Sequence, residues 1–239
     1  MGNLYVVTDF DGTLMHEDVG DELMEALGVV RDPALQEAVR KLRTKEGGSR
    51  EWIMAAYPHL AGRKDEVDAV IGRVRLRDGA KRFLRYCEEQ DVPVTVLSDG
   101  MAYYIETILA REGVQPAQTI ANPIRYLPDG GYELKLQNDN AACSWCGCCK
   151  ADVVRELKRD GSFVVYIGDG TSDYYGSAFA DWVFARGTLA QYLTREGEAF
   201  FPFESFDDVL AVLQPQLASF RAGTAAGRRG RTNDFCRFA

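Results

Sequence analysis

Four short apolar runs, at residues 4–8, 93–97, 163–167 and 182–185, lack the in–out alternation of a strand with one wet face. Phe163-Val164-Val165-Tyr166-Ile167 is the clearest of them. Such runs read as strands covered on both sides, with the helix-like segments between them as the covering layers. The expected fold class is therefore α/β, with a parallel sheet flanked by helices. Ligands in open sheets of this kind bind beyond the carboxyl ends of the strands. What stands at those ends decides what the chain can do.

About eighty residues separate the first two runs, and they read as helices throughout. Asp21 to Leu27, Pro33 to Arg43, Arg50 to Tyr57 and Lys64 to Val74 carry apolar residues at three- and four-residue spacing. An insert of that size after the first strand reads as a small lid. The organisation expected is a core of residues 1–14 and 77–221, a helical cap of residues 15–76, and a flexible basic tail over 222–239. A further helix is expected over 79–90, and short β segments over 119–136 around Pro128-Asp129-Gly130-Gly131. The core, on this reading, is a Rossmann-like sheet.

Asp9-Phe10-Asp11-Gly12-Thr13 directly follows the first run. Two carboxylates one residue apart repel unless a cation or a shared proton offsets the repulsion, and a divalent metal, a phosphate, or both would do so. An acidic turn that caps the next helix is the plainer alternative. Ser98 ends the second run in Val96-Leu97-Ser98-Asp99-Gly100. Its hydroxyl, beside the amides of a helix start, suits a phosphate or simply caps that helix. Lys150 opens a helix, where the dipole mildly disfavours a cation, which suggests an ammonium reaching into the cleft; a solvated surface lysine is the plainer alternative. Gly168-Asp169-Gly170-Thr171-Ser172-Asp173 places two acids four residues apart beyond the third run, a spacing that suits direct and indirect support of Mg²⁺, or simply a Gly-Asp turn with a helix cap.

In this order, each at a strand end or helix start, these pieces resemble the haloacid dehalogenase-like superfamily, in its phosphatase branch. The family pattern is Asp-x-Asp-Gly-Thr, then Ser or Thr, then Lys, then Gly-Asp-x-x-x-Asp, and the resemblance spans roughly residues 3–215. It implies that Asp9 is the nucleophile that forms an aspartyl-phosphate, and that Asp11 is the general acid and then base. Mg²⁺ would be held by Asp9, the Asp11 carbonyl and Asp169, with Asp173 in support. Ser98, Asp99, Gly100 and Lys150 would bind the phosphoryl group, with Thr13 orienting the first loop. Asp11 favours phosphate chemistry over carbon–halogen cleavage, because dehalogenase members lack that acid.

Cys143-Ser144-Trp145-Cys146-Gly147-Cys148-Cys149 packs four cysteines just before Lys150. Three readings stand side by side: a tight loop that places Lys150, a structural Zn²⁺ site at Cys143, Cys146, Cys148 and Cys149, and a redox switch. Cys-Gly-Cys-Cys-Lys also looks like the methionine-salvage branch, which acts on 2-hydroxy-3-keto-5-methylthiopentenyl-1-phosphate and stands close to phosphoserine phosphatase. Asp18 occupies the position where phosphoserine phosphatases carry a glutamate, so phosphoserine is the disfavoured alternative. Asp18, His16, Trp52, Met54 and Tyr57 are the candidate substrate contacts. The rival from another class is a non-catalytic protein that binds Zn²⁺ or phosphate through the cysteine cluster.

The formal charge of −8 argues against nucleic acid and anionic membranes as partners. It allows an anionic small metabolite, because a metal and a lysine invert the field locally. No leader or membrane span is expected, and a cytoplasmic monomer or homodimer is the default.

Overall fold

The computed structural model describes residues 3–138 and 140–229. The chain order is β1 (Leu4–Thr8), α1 (Val19–Ala26), α2 (Pro33–Thr44), α3 (Ser49–Ala56), α4 (Lys64–Arg73), α5 (Ala80–Glu89), β2 (Val94–Met101) and α6 (Ala102–Glu112). Then follow β3 (Gln118–Asn122), β4 (Ile124–Tyr126), β5 (Tyr132–Leu134), α7 (Lys150–Leu157), β6 (Phe163–Gly168), α8 (Asp173–Ser177), β7 (Trp182–Ala185), α9 (Gly187–Glu196), β8 (Phe201–Pro202) and α10 (Phe206–Arg221). All four apolar runs are strands of one six-stranded sheet of order β3-β2-β1-β6-β7-β8, parallel throughout.

Side chains from alternate positions of each strand enter two separate apolar layers. Val6, Val94, Val96, Val165, Ile167, Trp182 and Phe184 pack beneath Phe83 of α5 and Leu213 of α10. Val7, Leu97, Val164, Tyr166 and Val183 pack against Val154 of α7 and Leu189 of α9. Coverage of both faces explains why the strand sequences do not alternate.

From β1 the chain winds to one side through β2 and β3, then returns to β6 and continues to the other side. β1 and β6 are neighbours whose connections diverge, and a crevice opens at such a switch point. Helices α1–α4 stand over that crevice. The chain leaves and re-enters the sheet layer where Met15 and Leu76 form a lone antiparallel bridge, flanked by Arg77 N donating to Leu14 O at 2.7 Å.

Local signals explain these four helices. Asp32 accepts from the amides of Ala34 and Leu35, and Pro33 opens α2, where a missing N–H is harmless. That helix ends at Lys45 in the left-handed region, φ 56°. The Lys45 ammonium lies over the rings of Tyr174 and Tyr192, 3.8 and 4.1 Å from their centroids, and so seats α2 on α8 and α9. β4 and β5 form the expected hairpin, with Arg125 opposite Glu133.

The expected flexible tail is corrected over its first eight residues, 222–229, which are docked on the core. Arg229 is buried, pairs with Glu198 at 3.2 Å and donates to Ser177 O at 2.8 Å. Arg228 pairs with Asp181, a buried carboxylate that also takes Lys158 and the amide of Val164. A Gly/Ala/Arg composition reads as tail because the acids that hold it lie far away in sequence. Residues 230–239 of the expected tail, with Arg231 and Arg237, lie outside the described residues. Among the described residues no helix is long and apolar enough to cross a membrane.

Candidate active site

Asp9 and Asp169 directly follow the adjacent strands β1 and β6, and Ser98 lies in the last half of β2, on the other side of β1. Asp9 N donates to Ile167 O at 2.9 Å, which prolongs the ladder to the point where the side chain turns into the crevice. The loop that follows is a tight turn. Asp11 is extended, and Gly12 has φ 68°, where a side chain would meet the Asp169 carboxylate at 2.7 Å. Only glycine lets the two acidic loops approach this closely.

Lys150 Nζ lies 2.9 Å from Asp9 Oδ1 and 2.7 Å from Asp173 Oδ1, and all three side chains are nearly or fully buried. Asp173 is fully engaged. Its Oδ1 also accepts from Tyr166 Oη at 2.7 Å, and its Oδ2 accepts from the amides of Asp169 and Gly170. It therefore fixes both Lys150 and the Asp169 loop. Thr13 Oγ1 donates to Asp169 Oδ1 at 2.7 Å, so its hydroxyl orients that acid.

Asp11 is held from three directions. Its Oδ1 accepts from Val19 N at 3.1 Å; its Oδ2 accepts from Ser98 Oγ at 3.1 Å and Tyr104 Oη at 2.6 Å. Gly100 N donates to Ser98 Oγ, and a side chain at Gly100 would strike the Tyr104 hydroxyl. Asp99 Oδ1 accepts from Cys148 N at 2.6 Å.

These contacts set the charges. Burial, then Asp173, push Asp9 well above the usual carboxylate range, with Lys150 pulling back. Burial also raises Asp11, against its bond from Tyr104. Asp169 is pushed up to about 6 by burial and by Asp173. At Asp173 burial is outweighed by Lys150, which holds that carboxyl below its ordinary value. At Lys150 burial opposes the charge, but Asp173 and Asp9 prevail, and the ammonium stays protonated.

Oxygens of Asp9, Asp169 and Asp173 lie within 4.8 Å of one another. Three crowded carboxylates, with Asp9 and Asp169 raised and Asp173 already neutralised by Lys150, form a hard-oxygen donor set that fits a divalent cation such as Mg²⁺.

The cysteine segment is a brace between α3 and this site. Gly147 N donates to Ser49 Oγ at 3.1 Å and Arg50 N to Trp145 O at 3.3 Å, while Cys148 N holds Asp99. Gly48 has no room for a side chain against the Trp145 backbone. Cys148 is buried with Leu97 and Val7, and burial pushes its thiol far up, away from the thiolate a metal or redox role needs. Among the described residues the group that gathers as ligands is the aspartate set, not Cys143, Cys146, Cys148 and Cys149.

The remaining candidates divide. Asp18 caps α1 by accepting from Asp21 N at 2.9 Å, with Trp52 beside it across Gly20. Tyr57 is buried, whereas Met54 is exposed at 55% and faces solvent. His16 lies 3.5 Å from Asp78, on the outside of the hinge.

Arg77, Arg186 and Tyr104 were absent from the sequence reading. Buried Arg77 donates to the carbonyls of Gly12, Thr13, Met15 and His16 at 2.7 to 3.3 Å, and Arg186 Nη1 adds a second bond to Gly12 O at 2.9 Å. Their partners are backbone oxygens, which leave no mark in a sequence. Arg77→Met is expected to lower unfolding stability by about 2–4 kcal/mol, because several buried carbonyls lose their donor at once. Urea denaturation reads this, and a change under about 1 kcal/mol would show that water replaces the guanidinium.

Residues 6–176 match the haloacid dehalogenase-like hydrolase family. The chain belongs to that family. Two curated relatives are 2-hydroxy-3-keto-5-methylthiopentenyl-1-phosphate phosphatases. The one from Lysinibacillus sphaericus is 29% identical over 91% of this chain and 96% of its own length. That from Bacillus pumilus is 28% identical over 86% and 89%. In fold the chain is similar to a phospho-aspartyl intermediate analogue of phosphoserine phosphatase, with TM-score 0.67, 18% identity and coverage of 88% and 98%. A phosphoserine phosphohydrolase-like protein from Francisella tularensis superposes with TM-score 0.64 at 17% identity, over 89% and 100%. As a member of the family the chain is a hydrolase of the phosphatase type.

Proposed function

We propose that this haloacid dehalogenase-like hydrolase is a Mg²⁺-dependent phosphomonoester phosphatase, acting on a small keto- or enol-phosphate such as 2-hydroxy-3-keto-5-methylthiopentenyl-1-phosphate. The observation that carries the reading is the buried ammonium of Lys150 between Asp9 and Asp173. Phosphoryl transfer needs positioning and neutralised charge more than covalent assistance, and this arrangement supplies both.

Asp9 attacks phosphorus; the new Asp9–phosphorus bond forms as the ester P–O bond breaks. Asp11, raised by burial, carries the proton that the leaving alkoxide takes. It then takes a proton from the water that cleaves the aspartyl-phosphate and regenerates Asp9. Ser98 Oγ, the Gly100 amide and Lys150 lie where the transferring phosphoryl oxygens gather. Asp9, Asp169 and the Asp11 carbonyl would hold Mg²⁺, with Asp173 supporting them. That ion, when bound, adds positive charge against the phosphoryl oxygens. Residues 15–76 serve as the lid that excludes water and selects the leaving group, seated by Lys45 and by the cysteine brace.

The support for the substrate is the curated relatives' activity together with Asp18, which stands where a phosphoserine enzyme carries glutamate. Phosphoserine remains the second reading because the folds superpose. Hydrolysis of phosphorylated hydroxy-ketones and phosphoserine, measured side by side with Mg²⁺, ranks the two. EDTA is expected to remove more than about 99% of turnover and added Mg²⁺ to restore it. Turnover that survives full chelation would remove the metal from the scheme.

A further inference from the structure

Tyr57 follows α3 and is 2% exposed, yet its hydroxyl has no hydrogen-bond partner. Buried hydroxyls are normally paired, so an orphan next to a reaction site calls for a ligand. Its ring neighbour Trp52 packs against Gly20 beside Asp18, and Val19 between them donates its amide to Asp11, so the phenol belongs to the side of the insert that meets the aspartates. Its ring is fixed by Trp52, which meets it edge-on with centroids 6.3 Å apart. A second buried polar atom without a partner stands on the residue after Ser98. Asp99 Oδ2 is buried without a hydrogen-bond partner, although Oδ1 is tied to Cys148 N. The phosphoryl chemistry of Asp9, Asp11 and Lys150 uses neither atom. One is a donor from the helical insert and the other an acceptor from the sheet end.

We infer that Tyr57 is a specificity-determining residue. Its hydroxyl donates to a carbonyl or enol oxygen on the carbon next to the phosphate-bearing carbon, and Asp99 Oδ2 accepts from an adjoining hydroxyl of the same substrate. The cleft thereby selects phosphate esters of hydroxy-ketones over plain alkyl phosphates. A site built to pair a substrate oxygen rejects the analogue that lacks it, because its own buried groups are then left unpaired. This inference rests on the phosphatase reading and sharpens it.

The test compares dihydroxyacetone phosphate with n-propyl phosphate as substrates of the parent protein and of Tyr57→Phe, with Mg²⁺ present. The parent is expected to prefer the keto phosphate by at least about tenfold in kcat/KM, and the variant to lose about tenfold of that preference. A preference unchanged by the substitution, or a loss shared equally by both esters, overturns the assignment while leaving the phosphatase standing. Hydrolysis of neither ester by the parent overturns both. Phenylalanine keeps the ring against Trp52 and deletes only the unpaired oxygen, so the thermal midpoint should hold or rise. A marked fall would mean that the hydroxyl is bonded within the protein, and would also overturn the assignment.

Discussion

Asp9→Asn is expected to reduce phosphatase turnover by a factor on the order of 10⁴ or more, with the fold intact. The amide is nearly isosteric with the carboxylate, but it has no charge with which to attack phosphorus and cannot form the acyl phosphate. Lys150 retains its contact to Asp173 at 2.7 Å, so the buried ammonium is not abandoned. The substitution also removes one of three mutually repelling acids. Thermal stability should therefore hold or increase slightly while activity disappears, a split that mere unfolding cannot produce. Quenched-flow labelling adds a direct reading, because the parent should accumulate acid-stable, hydroxylamine-sensitive phosphate on the protein and the variant none. Residual turnover within about tenfold of the parent would move the nucleophile elsewhere.

The reason Asp9 could be singled out in the sequence is geometric. A residue directly after a fully buried strand has little freedom to point anywhere but beyond the sheet edge, and Asp9 and Asp169 both stand there. Ser98 was legible on the same ground, although β2 runs on to Met101 and carries the serine within it. The insert was legible because helical periodicity needs only local residues. Its helix bounds differ from the observed α1–α4 by one or two positions, set by caps such as Asp18 and Asp32.

What could not be read were bonds made across long stretches of chain. Arg77 reaches Thr13 from 64 residues away, and Tyr104 reaches Asp11 from 93. Neither has a local pattern distinguishing it from a surface arginine or a core tyrosine. The cysteine segment left a tight loop, a metal site and a redox switch open side by side, and what the fold uses there is mostly backbone: the amides of Gly147 and Cys148 and the carbonyl of Trp145. Small residues at those positions let α3 and the strand end come within hydrogen-bonding distance of one loop. That same loop ends in Lys150, so seating of the insert and placement of the ammonium are mechanically joined.

Lys150→Met is expected to be the most destabilising single substitution in the site. The ammonium is 2% exposed and contacts two buried carboxylates at 2.9 and 2.7 Å. Methionine matches its length, but it leaves Asp9 and Asp173 facing each other with no positive charge between them. Removing one partner of a buried ionic group costs about 3–5 kcal/mol, because the remaining charge keeps its desolvation penalty and loses its compensation. Lys150→Arg should not rescue the site. A branched, planar guanidinium needs more room than an ammonium, and the buried carboxylates of Asp9 and Asp173 close in on Nζ at 2.9 and 2.7 Å. The lost stability has a specific remedy. A divalent cation among Asp9, Asp169 and Asp173 restores positive charge to the same carboxylates, so millimolar Mg²⁺ should raise the thermal midpoint of Lys150→Met more than that of the parent. Turnover should nonetheless stay at least about 10³-fold down even with Mg²⁺, because the ion cannot also take the ammonium's place against the phosphoryl group. If the variant is as stable as the parent without Mg²⁺, the Lys150–Asp9–Asp173 contact does not organise the site, and the mechanism built on it fails with it.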